Sequence, residues 1–91
     1  MKTYDPAIAL TLYYTRTEIG NADIRALFGC ASCTATKLKR EVQQVMVERK
    51  VRTWYKGNID IATAYELWGI NVESVERRMM RLQKLQEAGI V

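Results

Sequence analysis

The stretch Asp23–Val42, DIRALFGCASCTATKLKREV, decides the fold. Its first part predicts a short helix over residues 22–28, with Asn21 as the N-cap. Gly29 follows at the point where the chain needs a positive φ to reverse its direction. A longer helix is then predicted over residues 33–50, with Ser32 as its N-cap and apolar positions three and four residues apart. Those apolar positions are Ala35, Leu38, Val42, Val45 and Met46.

This stretch resembles the helix-turn-helix of DNA-binding regulators, at the level of the superfamily. In that motif two helices cross over a turn of three or four residues. Ile24 and Phe28 of the first helix are expected to meet the second helix at Ala35, which is small because the two helices approach closely there. Arg25 departs from the pattern, since a small alanine is commonest at its position. The second helix is therefore expected to lie slightly farther out.

The resemblance implies that the outer face of the second helix enters the major groove of DNA. Hydroxyl groups on this face suit hydrogen bonds to base edges or phosphates, and its long basic side chains suit guanine or phosphate. Basic residues beyond the helix would add contacts to the flanking backbone, including from a hairpin wing if one forms. The candidate DNA-binding residues are Ser32, Cys33, Thr36, Lys37, Lys39, Arg40, Lys50, Arg52 and Lys56.

The distribution of charge favours the same region. The 91-residue chain has 14 basic and 10 acidic residues, a net charge of +4. Residues 1–57 hold ten basic against five acidic residues, a balance of +5, whereas residues 58–91 hold four against five, a balance of −1. Such asymmetry is typical of a module that touches a polyanion with one end. The alternative interpretation is a charged helix that is merely solvated.

The rest of the chain predicts an all-α protein of about five helices. Asp5-Pro6 opens a helix that runs to about Thr15, Asp60 caps one over residues 61–68, and a last helix covers residues 73–87. The segment VRTWYKGNIDI over residues 51–61 has strand-like residues on both sides of a turn, so it predicts either a small β-hairpin or an ordered linker.

The chain also echoes itself at an interval of 40 residues, because a short helix, a glycine and a long helix recur around Gly29 and Gly69. The second unit is a poorer candidate for DNA binding, because it carries carboxylates on its outer face. We therefore divide the chain into a helix-turn-helix module over residues 1–57 and a helical pair over residues 58–91, within one compact domain. The spacing of Val75, Met79 and Leu82 fits either packing on the first helix or a homodimer seam through residues 72–86.

The composition argues against catalysis and against a cofactor. The chain has no histidine, which is the commonest general base and metal ligand. Cys30 and Cys33 lack the further ligands that zinc needs, so Cys30 is interpreted as a small core residue and Cys33 as an exposed one. Trp54 and Tyr55 beside basic residues suit a platform that stacks bases, although burial against the core is the favoured interpretation.

These features together predict a sequence-specific double-stranded DNA-binding protein, a small bacterial or phage transcriptional regulator. The alternatives are an accessory factor for DNA excision or packaging, which would use the same chemistry, and a helical protein–protein adaptor without a nucleic-acid role. No apolar run approaches the ~18 residues of a membrane span, and the N-terminus does not have the pattern of a signal peptide. A cytoplasmic protein is therefore expected.

Overall fold

The computed structural model describes residues 3–89, which form five helices and a two-stranded antiparallel sheet. In chain order the elements are α1 (Pro6–Thr15), β1 (Glu18–Ile19), α2 (Asn21–Phe28), α3 (Ser32–Arg49), β2 (Ile59–Asp60), α4 (Ile61–Trp68) and α5 (Val72–Glu87). The all-α prediction is confirmed. No helix within residues 3–89 combines the length and the apolar character that crossing a membrane requires.

The helix ends follow from capping chemistry that the sequence displays. Asp5 Oδ1 accepts hydrogen bonds from the backbone N–H groups of Ala7 and Ile8, and the Asp60 carboxylate accepts one from Thr63. Both predicted caps are therefore confirmed. Two other predicted caps are off by one residue, because Gly20 precedes α2 and Ala31 precedes α3. Asn21 and Ser32 are thus the first helical residues, and their side chains are left for other contacts.

The small sheet joins distant parts of the chain. Ile19 of β1 pairs with Ile59 of β2, and neither residue has any exposed surface. The predicted region 51–61 thus contributes a strand, but its partner is not local, and no hairpin forms within that segment. Residues 51–58 instead lie beside α3, where Gln43 Nε2 donates to the Gly57 carbonyl oxygen, and β2 pairs with β1.

The two halves of the chain repeat one local arrangement around this sheet. Each strand leads into an eight-residue helix that ends on a left-handed glycine, Gly29 with φ 62° and Gly69 with φ 73°. Ile19 and Ile59 are 40 residues apart and pair with each other, so the two repeats meet at the sheet. The long helices depart from the repeat, because α3 packs on α2 whereas α5 packs on α1.

Tyr65 connects α4 to α1 inside the core. Its hydroxyl donates a 2.7 Å hydrogen bond to the Ala9 carbonyl oxygen, and its ring stacks on Tyr13 with centroids 5.8 Å apart. Burial, followed by the nearby charges of Asp23 and Tyr4, raises the pKa of Tyr65 to about 12. The phenol therefore keeps its proton, and remains a donor to α1, well above the pH at which an exposed tyrosine ionises.

Candidate nucleic-acid interface

The joint between α2 and α3 is closely packed. Ile24 of α2 and Ala35 of α3 are completely buried. Gly29 adopts the left-handed conformation, and its backbone N–H donates to the Arg25 carbonyl oxygen at 2.8 Å. Cys30 is half-buried and packs against the core, which agrees with its interpretation as a small core residue. Close packing at this joint fixes the direction of α3.

Arg25 does not disturb the joint. The arginine side chain is exposed, while Ala35 on the neighbouring helix has no accessible surface. A long side chain between the helices would have pushed them apart and left a gap around that alanine. The sequence-based expectation that Arg25 displaces α3 therefore has no counterpart in the packing.

Thr36 lies between the two helices. Its hydroxyl donates to the Ser32 carbonyl oxygen at 2.9 Å and accepts from Asn21 Nδ2 at 3.3 Å. The side chain is half-buried, and the single hydroxyl proton is already used. Thr36 therefore holds α3 against α2, and only its remaining lone pair is open to a ligand.

The outer face of the first half of α3 is exposed and basic. Cys33, Lys37 and Arg40 are all exposed and follow each other at helical spacing. They span about 10 Å along the helix, given a rise of about 1.5 Å per residue. No carboxylate occurs on α3 before Glu41. We call this stretch, with Ser32 exposed at its start, the α3 face.

Four further candidate lysines and arginines lie outside the α3 face. Lys39 is half-buried on α3. Lys50, Arg52 and Lys56 are exposed after the end of α3. Within residues 3–89, none of the candidate lysines and arginines forms an ion pair. Their charges are therefore available to a polyanion.

Arg49 differs from these residues because it is engaged. Its guanidinium donates to both carboxylate oxygens of Glu66, at 2.7 and 3.3 Å. These two hydrogen bonds join the end of α3 to α4. Both side chains are half exposed or more, so water screens the pair and it contributes little to stability. Arg49 therefore has a structural role.

Residues 51–58 form an ordered loop that is clamped by one carboxylate. Glu18 accepts hydrogen bonds from the backbone N–H of Trp54 at 2.7 Å, from that of Tyr55 at 3.0 Å and from Asn58 Nδ2 at 3.0 Å. Partial desolvation raises the pKa of Glu18, but these hydrogen bonds outweigh it, and the net pKa is lowered. We call this segment the clamped loop; it occupies the place where the sequence suggested a hairpin wing.

The aromatic residues of the clamped loop are not buried, contrary to the favoured sequence interpretation. Trp54 is 93% exposed and Tyr55 is 72% exposed. The physical reason is that Glu18 binds the backbone amides of both residues, and this holds the loop without using their side chains. The signal that sequence reasoning missed is Glu18 itself, which lies 36 residues before Trp54.

The corresponding region of the second unit has the opposite character. Asn71 caps α5 by accepting from the Ser74 backbone N–H at 3.1 Å, and Glu73 lies exposed in the first turn. Glu76 accepts a hydrogen bond from the Tyr14 hydroxyl at 2.9 Å, so it faces α1. A negative first turn repels phosphate, whereas the first turn of α3 carries no acidic residue.

Cys30 and Cys33 are both free thiols. Among residues 3–89, no group of three or more histidine, cysteine or acidic side chains is arranged to hold a metal ion. Comparisons of the chain with protein-family models, with curated proteins and with solved structures find no match.

Proposed function

We propose that this protein binds double-stranded DNA in a sequence-specific manner, as a small bacterial or phage transcriptional regulator. The observation that carries the proposal is the α3 face: exposed Lys37 and Arg40 on a helix that packs against α2, with no carboxylate before Glu41. The protein would act by binding and not by catalysis.

The dimensions of α3 suit this function. The major groove is about 12 Å wide and admits one α-helix, whose N-terminal residues then reach the base edges. Arg40 can donate two parallel hydrogen bonds to guanine, and Lys37 can reach a base or a phosphate. Ser32 and the backbone N–H groups at the start of α3 lie where a helix N-terminus favours phosphate. Lys39, Lys50, Arg52 and Lys56 would supply contacts to the backbone.

A titration of fluorescent mixed-sequence duplex tests the proposal, with anisotropy as the measurement. We expect binding that weakens by about 10²–10³-fold between about 50 and 200 mM salt, because about five phosphate contacts release that many counterions. Absence of duplex binding at the lower salt concentration, or affinity that does not change with salt, would contradict the proposal and favour the protein–protein adaptor.

We further propose that the regulator is a homodimer through residues 72–86. The molecule is elongated, 47 Å by 25 Å by 22 Å. Val75 and Met79 of the predicted seam pack within the monomer, but Leu82, one helical turn farther along α5, is 43% exposed. A second copy would cover this side chain and double the number of DNA half-sites, which a small module needs for tight binding.

Light scattering after size exclusion tests the dimer. We expect about twice the 10.5 kDa chain mass for the wild type and a monomer for Leu82→Asp, because a buried unpaired carboxylate is strongly unfavourable. Leu67→Asp is the matched control, since Leu67 is 45% exposed on α4 and should leave the mass unchanged. A monomeric wild type in concentrated solution would rule out the seam.

A further inference from the structure

Trp54 is the most exposed large hydrophobic residue described in the molecule, at 93%. Its backbone N–H is fixed by Glu18, so an ordered loop presents the indole to solvent. Trp is the side chain that gains most from covering its surface, and holding it in advance lowers the entropic cost of binding. A tryptophan held in this manner indicates a contact with a partner.

The surroundings of Trp54 show the chemistry of that partner. A shallow groove beside the indole is lined by Val47, Val51, Arg52 and Lys56 among others, and none of its lining residues is acidic. Arg52 and Lys56 lie two residues before and two residues after Trp54. An aromatic ring between cations matches a nucleobase between phosphates, because the ring stacks while the cations neutralise the backbone.

The position of the clamped loop relative to α3 sets where such a base would lie. Gln43 Nε2 donates to the Gly57 carbonyl oxygen at 3.3 Å, and the groove beside Trp54 includes Val47. Val47 lies about 15 Å beyond Lys37 along the helix, at about 1.5 Å per residue. Since the major groove is about 12 Å wide, a helix that enters it at Lys37 places the loop over the phosphate backbone and the neighbouring minor groove.

We propose that Trp54 inserts its indole against a base step from the minor groove, while Arg52 and Lys56 bind the phosphates on either side. This inference rests on the proposed function, because it takes α3 to lie in the adjacent major groove. An apolar side chain that enters a base step unstacks it partly and kinks the duplex by about 20–90°. The protein would then recognise the deformability of the flanking DNA as well as base edges.

The test compares Trp54→Ala with the wild type on a duplex selected from a random pool by the wild-type protein. We expect an affinity loss of about 5- to 150-fold, the range for removal of one stacked aromatic residue. Energy transfer between dyes at the two DNA ends should report a kink with the wild type and a straighter duplex with the variant. Trp54→Phe should restore most of both signals, since it keeps an aromatic face.

Intrinsic fluorescence provides a second measurement. The chain has two tryptophans, and Trp68 is half-buried with its ring against Phe28. Duplex binding should quench the emission of the wild type but change that of Trp54→Phe little. Leu67→Ala is the control, because Leu67 is 45% exposed on α4, outside both the clamped loop and residues 72–86, and its removal should not change DNA affinity.

The outcomes separate the two proposals. Steep, salt-dependent duplex binding that Trp54→Ala leaves unchanged in affinity, bend and emission would overturn the role of Trp54 and retain the proposed function. Absence of duplex binding by the wild type would overturn both proposals. Tighter binding to single strands than to the selected duplex, with Trp54 quenched only by single strands, would overturn the minor-groove geometry.

Discussion

Replacing Lys37 and Arg40 together by alanine is expected to weaken binding to the selected duplex by about 30- to 1000-fold. The physical reason is the loss of one guanine-reading or phosphate-binding group at each position, with a combined cost of about 2–4 kcal/mol. Both side chains are exposed on α3. The far-ultraviolet circular dichroism of the variant should therefore match that of the wild type. Competition with mixed-sequence DNA should show that specificity falls as well as affinity.

The control for this variant removes the same charge elsewhere. Arg77 and Lys84 are exposed on α5, and their double replacement by alanine also lowers the net charge by two. After light scattering has shown that its oligomeric state is unchanged, this control should bind the selected duplex within about threefold of the wild type, since charges beyond a Debye length of about 10 Å are screened. Equal losses in the two variants would mean that total charge, and not the α3 face, governs binding.

The second large effect concerns stability. Ile59→Ala is expected to lower the free energy of unfolding by about 2–5 kcal/mol, because truncating a fully buried isoleucine loses its transfer free energy and leaves a cavity. Ile59 pairs with Ile19 across the sheet, so the substitution loosens the contact between the two halves of the chain. Urea unfolding followed by circular dichroism and by tryptophan fluorescence measures the change.

The same experiment tests the division of the chain. If residues 1–57 and 58–91 belong to one compact domain, both probes should report a single transition in the wild type and in Ile59→Ala. Leu67→Ala is a suitable control, since Leu67 is 45% exposed and should cost less than about 1 kcal/mol. Two separated transitions in the wild type would show that the halves fold independently.

The sequence alone was sufficient for the elements whose causes are local. The apolar spacing around Ile24 and Ala35 predicts α2 and α3, and Gly29 marks the turn between them. Asp5 and Asp60 are read correctly as caps because an N-cap acts on amides within three residues. The exposure of Lys37 and Arg40 follows from the same helical periodicity.

The contacts that sequence reasoning missed join residues far apart in the chain. A two-residue strand has no periodicity, so nothing in the sequence indicates that Ile19 pairs with Ile59. The hydrogen bonds between Glu18 and the loop join residues up to 40 positions apart, and they leave Trp54 exposed where burial was expected. The hydrogen bond between Asn21 and Thr36 was equally hidden, because both residues suit several local roles.

The pairing of Ile19 with Ile59 has a consequence for assembly. The two strands come from separate halves that the clamped loop connects, so the same edges are complementary whether they belong to one molecule or to two. Exchange of the second half between neighbouring molecules would keep every ladder hydrogen bond and change only the path of the connection. Because the connecting segment is compact and lies beside α3, it favours pairing of the two strands within one molecule over exchange between two molecules.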